Sequence, residues 1–403
     1  MKILCIFILI LSFLPRALTA IFIDTYYFPD DQITVTEEKF FNDLLDGSQE
    51  SFDNFDAFLI ASGIVSKDEI QFYQDRFQQI EKSVRSEIVS NSNQNIPKAK
   101  IILKWLHENF FKHYKKDTRG IHDLINKGEY DCLSSSIIYY ILAVKLELDI
   151  RFIKVPEHVF CQVYQPQNSY WINVETTSPY GYNPGEAEII KMEKKIVKTY
   201  LPKTEYSNKE TIEFFPLLSY VILERNSLES DGGNSRDQEY TIEHLYIFKK
   251  ALFFDFKSNL LSHNIKALLI KFGNVSLEAK EYSKALIFIN EGLKNYQGEY
   301  TFQQLHVNYY LKKANDYYVS EDYTQAVLIL EQAFEKYPCF DNISQNLTAY
   351  ITAWGNDYFE ALNFEKAIEV YEYGLEKPIN YKTLENNVSF IFWNNNFLNW
   401  IQI

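Results

Sequence analysis

Gly128-Glu129-Tyr130-Asp131-Cys132-Leu133-Ser134-Ser135-Ser136-Ile137-Ile138-Tyr139-Tyr140 is a chain passing from a loop into a buried helix. A glycine and an aspartate precede a run in which Leu133, Ile137, Tyr140, Ile141 and Val144 recur at helical spacing. Asp131 is a natural N-cap, which puts Cys132 at the first helical position. There the free amides and the positive end of the helix dipole favour a thiolate and can help to hold an oxyanion. Ser134, Ser135 and Ser136 keep the first turn slim, so that another element can pack close. Upstream, residues 99–114 also carry apolar residues at helical spacing: Ile101, Leu103, Trp105, Leu106 and Phe110.

Downstream the period changes to two. Residues 155–164 and 170–175 alternate like strands, and Gln165-Pro166-Gln167-Asn168-Ser169 between them is turn material, so a β-hairpin is the simplest connection. With the hairpin centred between Pro166 and Gln167, His158 faces Glu175, Phe160 faces Asn173 and Gln162 faces Trp171. Facing side chains start about 4.5–5.5 Å apart at Cβ, close enough for a carboxylate to orient an imidazole. A slip of one residue would put the pair on opposite faces. The same alternation turns Cys161 away from His158 and makes it a small buried hydrophobe.

Cysteine at a helix start, then histidine on a strand, then an acid on the next strand is an order that resembles the transglutaminase-like superfamily. The helix from Asp131-Cys132 is similar to that family's nucleophile helix, Glu157-His158-Val159-Phe160 to its histidine strand, and Trp171-Ile172-Asn173-Val174-Glu175-Thr176-Thr177 to its acid strand. The resemblance covers residues 96–185. It implies an α+β fold with a papain/transglutaminase-like core, a nucleophile helix packed on antiparallel strands. It also implies roles: Cys132 the nucleophile, His158 the base, Glu175 the orienting acid. The family usually has aspartate where Glu175 stands; the longer acid can still orient an imidazole. The implied reaction passes through a thioester made from a side-chain or peptide amide, completed by an amine or by water. The sequence leaves crosslinking and hydrolysis open, and no cofactor is called for. His107 and His113 are six apart, about 240° around a helix, so they share no face. His122 beside Asp123 reads as a surface or cap pair. Without cysteine pairs at metal spacing there is no sign of zinc.

The C-terminal half repeats. Lys280-Glu281-Tyr282-Ser283-Lys284-Ala285-Leu286 returns around Tyr323 and again around Phe364, with Ala285, Ala326 and Ala367 spaced 41 apart. Gly273, Ala314 and Gly355 keep the same step, as do Gly292, Ala333 and Gly374. Such small residues mark places where helices approach closely. The pattern resembles the tetratricopeptide repeat, whose period is about 34. The seven extra residues equal about two helical turns and so lengthen helices with little rotation of the buried face. A fainter unit, keeping register only around His244, Phe248 and Ala251, extends the repeat region upstream. What this resemblance implies is a helical solenoid that binds a protein or peptide partner, with a capping helix over residues 389–403.

The remaining organisation follows from composition. Residues 1–20 have one early lysine, an apolar run and then Pro15-Arg16-Ala17-Leu18-Thr19-Ala20, the pattern of a signal peptide too short to span a bilayer. The expectation is an exported chain, periplasmic or secreted, with no membrane insertion once that segment is removed. Residues 21–95 read as an N-terminal helical region, mostly polar, 186–212 as a connecting segment whose Lys191, Lys194, Lys195 and Lys198 form a solvated face, and 213–403 as the helical repeats. A net charge of −14 argues against nucleic acid and against an anionic lipid surface. Beyond Cys5 only Cys132, Cys161 and Cys339 remain, which is no disulfide framework. Two functions from different classes fit: a thiol enzyme acting on protein or peptide amides, or a non-catalytic exported scaffold that binds through its repeats.

Overall fold

A computed structural model of the chain describes residues 28, 32–46, 51–94, 96–116, 120–155, 158–167, 169–184, 209–226, 240–377, 382 and 384–391. Residues 1–20, read as a signal peptide, the lysines read as part of a connecting segment and residues 392–403 of the expected capping helix lie outside them. Helices and a small antiparallel sheet make this an α+β protein. The chain divides into two compact units, the first ending at Ile265 and the second beginning at Lys266.

In the first unit, helices α1 (Val35–Asp46), α2 (Asn54–Ala61), α3 (Lys67–Ser90) and α4 (Lys98–Asn109) precede a short parallel pair, β1 (His113–Tyr114) and β2 (Glu129–Tyr130), with α5 (Ile121–Lys127) between them. Then come α6 (Cys132–Lys145), the strands β3 (Ile150–Val155), β4 (His158–Gln165), β5 (Tyr170–Val174) and β6 (Glu210–Ile212), and helices α7 (Phe214–Arg225) and α8 (Ile242–Phe254). The four longer strands form one antiparallel sheet in the order β5-β4-β3-β6.

The N-terminal helices are part of this core. Helix α2, read from sequence within a polar region, is mostly apolar and buried from Phe55 to Ala61. Asp53 and Asp56 form its capping box, and Phe55 stacks on Phe77 of α3 at 4.1 Å between ring centroids. Helices α7 and α8, which the repeat reading assigned to the C-terminal region, also fall within the first unit.

Helix α6 lies on the sheet face formed by Phe152, Val159 and Cys161. Tyr140 stacks on Phe152 at 4.4 Å, and the Ser136 hydroxyl donates to the Val159 carbonyl at 3.3 Å. Buried Cys161 directs its thiol to the Ser136 carbonyl at 3.6 Å. The other face carries His158, Phe160 and Gln162, as alternation requires.

The hairpin register differs from the sequence expectation. Gln162 pairs with Asn173 and Tyr164 with Trp171, rather than Gln162 with Trp171, and the connection is the four residues 166–169. Ser169 takes a left-handed φ of 54°, which lets the longer loop close. The partner is therefore displaced by two residues. Because side chains alternate with period two, that displacement keeps His158 and Glu175 on one face but makes them diagonal instead of directly opposed.

The second unit contains the rest of α9 (Asn259–Glu278), then α10 (Tyr282–Asn295), α11 (Tyr300–Val319), α12 (Tyr323–Lys336), α13 (Asp341–Glu360) and α14 (Phe364–Leu375). The 41-residue step is carried by the backbone as well as by the side chains. Lys280, Glu321 and Leu362 each take a left-handed φ, 60°, 62° and 61°, just before the helices that start at Tyr282, Tyr323 and Phe364. Helices α11 and α13 are both 20 residues long.

The small residues sit at close contacts. A Cβ added at Gly292 would lie 2.1 Å from the Phe302 ring, and one at Gly355 would lie 2.1 Å from the ring of Tyr371, itself 2% exposed. Alanine in a helix gains about 1 kcal/mol over glycine, while overpacking a closed contact costs about 1–3 kcal/mol. Gly355→Ala is therefore expected to lower stability by about 1 kcal/mol net, read as a lower urea midpoint with an unchanged slope. A midpoint at or above that of the unaltered chain would show that the approach at Gly355 is loose.

Candidate active site

The three residues singled out from sequence meet at the junction of α6 with the β4–β5 edge. Asp131 caps α6 with extended backbone, its Oδ1 accepting from the Ser134 amide at 2.8 Å and the Ser134 hydroxyl at 2.7 Å. The Ser134 hydroxyl also accepts from the Asp131 amide at 3.0 Å, so the cap is reciprocal. The helix thus starts at Cys132, which is half-buried. His158 opens β4, and the nearby Cys132 side chain is among the groups that favour its charged ring. On its other side, His158 Nε2 lies 2.6 Å from Glu175 Oε2, with the two side chains only 10% and 3% exposed.

Glu175 follows the last residue of β5. Its second oxygen, Oε1, accepts from the Thr177 amide at 3.1 Å and from the Thr177 hydroxyl at 2.6 Å. Both carboxylate oxygens are therefore met within the protein. The chain after Glu175 returns over itself. The Glu175 amide donates to the Gly181 carbonyl at 2.9 Å, and a Cβ at Gly181 would stand 1.9 Å from the Glu175 carbonyl oxygen, so only glycine fits there.

Thr176 ties this turn to the cysteine's helix. Its hydroxyl, fully buried, shares hydrogen bonds with Ser135 Oγ at 2.9 Å and Ser136 Oγ at 2.8 Å. Its carbonyl accepts from His107 Nε2 of α4 at 3.0 Å. A carbonyl can only accept, so that bond fixes His107 with its proton on Nε2. Sequence reasoning had set His107 aside on its spacing to His113. Only the fold brings it to Thr176, 69 residues away. Thr177 carried a weak local signal, a hydroxyl two residues beyond an acid, and the three serines turn out to be hydrogen-bonding partners as well as small residues. His122 behaves as read, a surface group 3.6 Å from Asp123.

The electrostatics follow from this packing. For His158, burial opposes the charged ring, but attraction to the Glu175 carboxylate, with the hydrogen bonds from Cys132 and Glu175, overcomes it and pushes the imidazolium up to about 10. Burial likewise opposes ionised Glu175. The charge and hydrogen bond of His158 and the two bonds from Thr177 nonetheless hold its carboxyl below the usual range. His107 has burial with too little opposing it, and falls to about 4. The arrangement is that of a charged imidazole held by a fixed carboxylate. Among the described residues no group of three or more His, Cys, Asp or Glu side chains is placed to hold a metal ion. The chain matches no protein-family model and no curated protein.

Two consequences can be measured. A raised histidine stabilises fully below its unfolded value of 6.5 and loses that contribution as pH rises toward about 10. A lowered glutamate stabilises fully above its unfolded value of 4.5 and loses that contribution as pH falls. The stability gap between the unaltered chain and Glu175→Gln should accordingly be widest near about pH 5.5 and narrow toward about pH 9.5. A gap that is flat over that range would mean the ion pair is not formed. Thr176→Val removes the hydroxyl that two buried serines share, and should cost about 1–3 kcal/mol in denaturant unfolding. Thr176→Ser should recover most of the loss; if both variants are equally destabilised, methyl packing and not the hydroxyl fixes the turn.

Proposed function

We propose that this chain is a transglutaminase-like thiol enzyme acting on protein or peptide amides. The observation that carries the reading is the line Glu175–His158–Cys132, with the thiol at the N-terminus of a capped helix and both carboxylate oxygens occupied. The helix packed against an antiparallel sheet, with cysteine, histidine and acid in that chain order, supports a papain-like core. The repeated helices of the second unit support a tetratricopeptide-like solenoid that docks a protein or peptide partner. The apolar segment at residues 1–20 supports export.

In this reading Cys132, its proton held on His158, attacks the amide carbonyl carbon as a thiolate, and the carbonyl electrons move to oxygen. Of the first amides of α6, those of Ser134 and Ser135 are taken by Asp131, which leaves the Cys132 and Leu133 amides to serve the oxyanion. The imidazolium of His158 then gives its proton to the departing nitrogen as the C–N bond breaks, leaving a thioester and neutral imidazole. Water or an amine next gives its proton to His158 and attacks the thioester carbon, expelling the Cys132 thiolate and restoring the ion pair. Glu175 stays ionised throughout, holding the ring and stabilising its charge.

The test is the pH profile of iodoacetamide alkylation, followed site by site by peptide mass spectrometry. Cys339 is exposed and serves as the internal reference, while Cys161 is buried. An ordinary thiol slows steeply below about pH 8.5. Cys132 is expected to outpace Cys339 near about pH 6 and to lose at least about tenfold in rate in His158→Ala. A Cys132 that tracks Cys339 with pH, or ignores the loss of His158, sinks the enzyme reading.

A further inference from the structure

The sheet face that carries His158 holds a second ordered charge, farther along the strands. Arg151 pairs with Gln162, and Gln162 with Asn173, so the three side chains share that face across β3, β4 and β5. Arg151 Nε and Nη2 both donate to Gln162 Oε1, at 2.9 and 2.7 Å. Gln162 Nε2 in turn donates to Asn173 Oδ1 at 2.7 Å, which fixes which way the amide points. The guanidinium carbon stands 4.1 Å from the centroid of the Trp171 ring, and Tyr164 packs against that ring at 5.4 Å. Gln162 is 8% exposed, whereas Arg151 and Trp171 are half-buried.

The partner that aims this arginine is neutral. An arginine serving a structural ion pair is met by a carboxylate, and this chain has 54 acidic residues against 40 basic ones. Arg151 nevertheless pairs with no carboxylate among the described residues; its contacts are Gln162 and the Trp171 ring. Fixing the side chain costs up to about 2 kcal/mol of rotamer freedom. What is fixed is a fork whose side edge is occupied and whose end-on edge, Nη1 with the outer N–H of Nη2, meets no protein acceptor among the described residues. Two parallel N–H groups on a planar cation match the two oxygens of a carboxylate.

We propose that Arg151, aimed by Gln162 and backed by Trp171, is a carboxylate-binding site for a peptide ligand. It is separate from the thiol site. Gln162 is four residues along the strand from His158, about 13 Å. Phe160, midway, is buried together with Ile153 and Val155. The inference therefore does not depend on Cys132 being a nucleophile, and its test reads binding alone.

The test is calorimetric titration of the full chain with three short peptides. One is acetyl-triglycine with a free C-terminal carboxylate. The second is acetyl-Gly-Glu-Gly amide, and the third, neutral, is acetyl-triglycine amide. At least one of the charged peptides should bind about tenfold tighter than the neutral one, a difference of about 1.4 kcal/mol. Which of them does so tells a chain terminus from an acidic side chain. Arg151→Lys keeps the charge but loses the fork and should erase the preference. Gln162→Glu, which hands Arg151 an internal carboxylate, should erase it too while keeping the shape of the site, with near-ultraviolet circular dichroism confirming that both variants are folded. Equal binding of all three peptides, or a preference that survives in both variants, overturns the proposal.

Discussion

An ionised carboxylate at 2% exposure has to be satisfied at every oxygen, because an unpaired one would cost several kcal/mol. Glu175 meets that demand with a histidine on one oxygen and a threonine amide and hydroxyl on the other. Those partners must themselves be held still, and the surrounding structure can be understood as the means of doing so. Thr176 anchors the turn to the first turn of α6 through two serines, and His107 anchors it to α4. Gly181 lets the returning chain close over it. Three elements remote from one another in sequence therefore fix one carboxylate. The same serines place Cys132, so the acid and the thiol are referenced to a single helix end.

The two histidines beside this turn show which effect wins. Burial lowers both, and both are attracted by the Glu175 charge. His107 bonds only a carbonyl dipole, among aromatic rings, and ends at about 4, a neutral ring acting as a fixed donor. His158 touches the carboxylate itself at 2.6 Å and ends at about 10. Coulombic attraction falls with distance while the desolvation penalty does not, so the contact decides between a structural histidine and a charged one. Composition and spacing alone carry no trace of that difference.

Legibility in the sequence follows the range of the interaction. The start of α6 was readable because an N-cap is decided within four residues. That His158 and Glu175 share a face was readable because strand alternation has period two. The exact register was not, since Pro166-Gln167-Asn168-Ser169 serves a two-residue or a four-residue connection, and the choice is made by a left-handed serine. The contacts of Thr176 reach 40, 41 and 69 residues along the chain, and no local pattern announces them. The burial of helix α2 was missed for the opposite reason: a region read as helical and mostly polar holds eight residues that are mainly apolar, with no helical stripe to mark a buried face. The 41-residue repeat was visible through its small residues, while its left-handed positions, occupied by Lys280, Glu321 and Leu362, gave no glycine to see.

The three thiols outside the first twenty residues carry the same lesson into chemistry. Cys161 sits on a central strand with no cation near it; burial pushes its thiol well up, and it serves as a packed donor to a helix carbonyl. Cys339 is exposed on the connection before α13 and is held by no ordered partner among the described residues. Cys132 alone combines a helix start, partial exposure and a charged imidazole. One residue type thus occupies a core position, a surface position and a poised position in one chain. What separates them is the neighbour each fold position supplies, and near Cys132 that neighbour is a histidine whose charge a buried glutamate sustains.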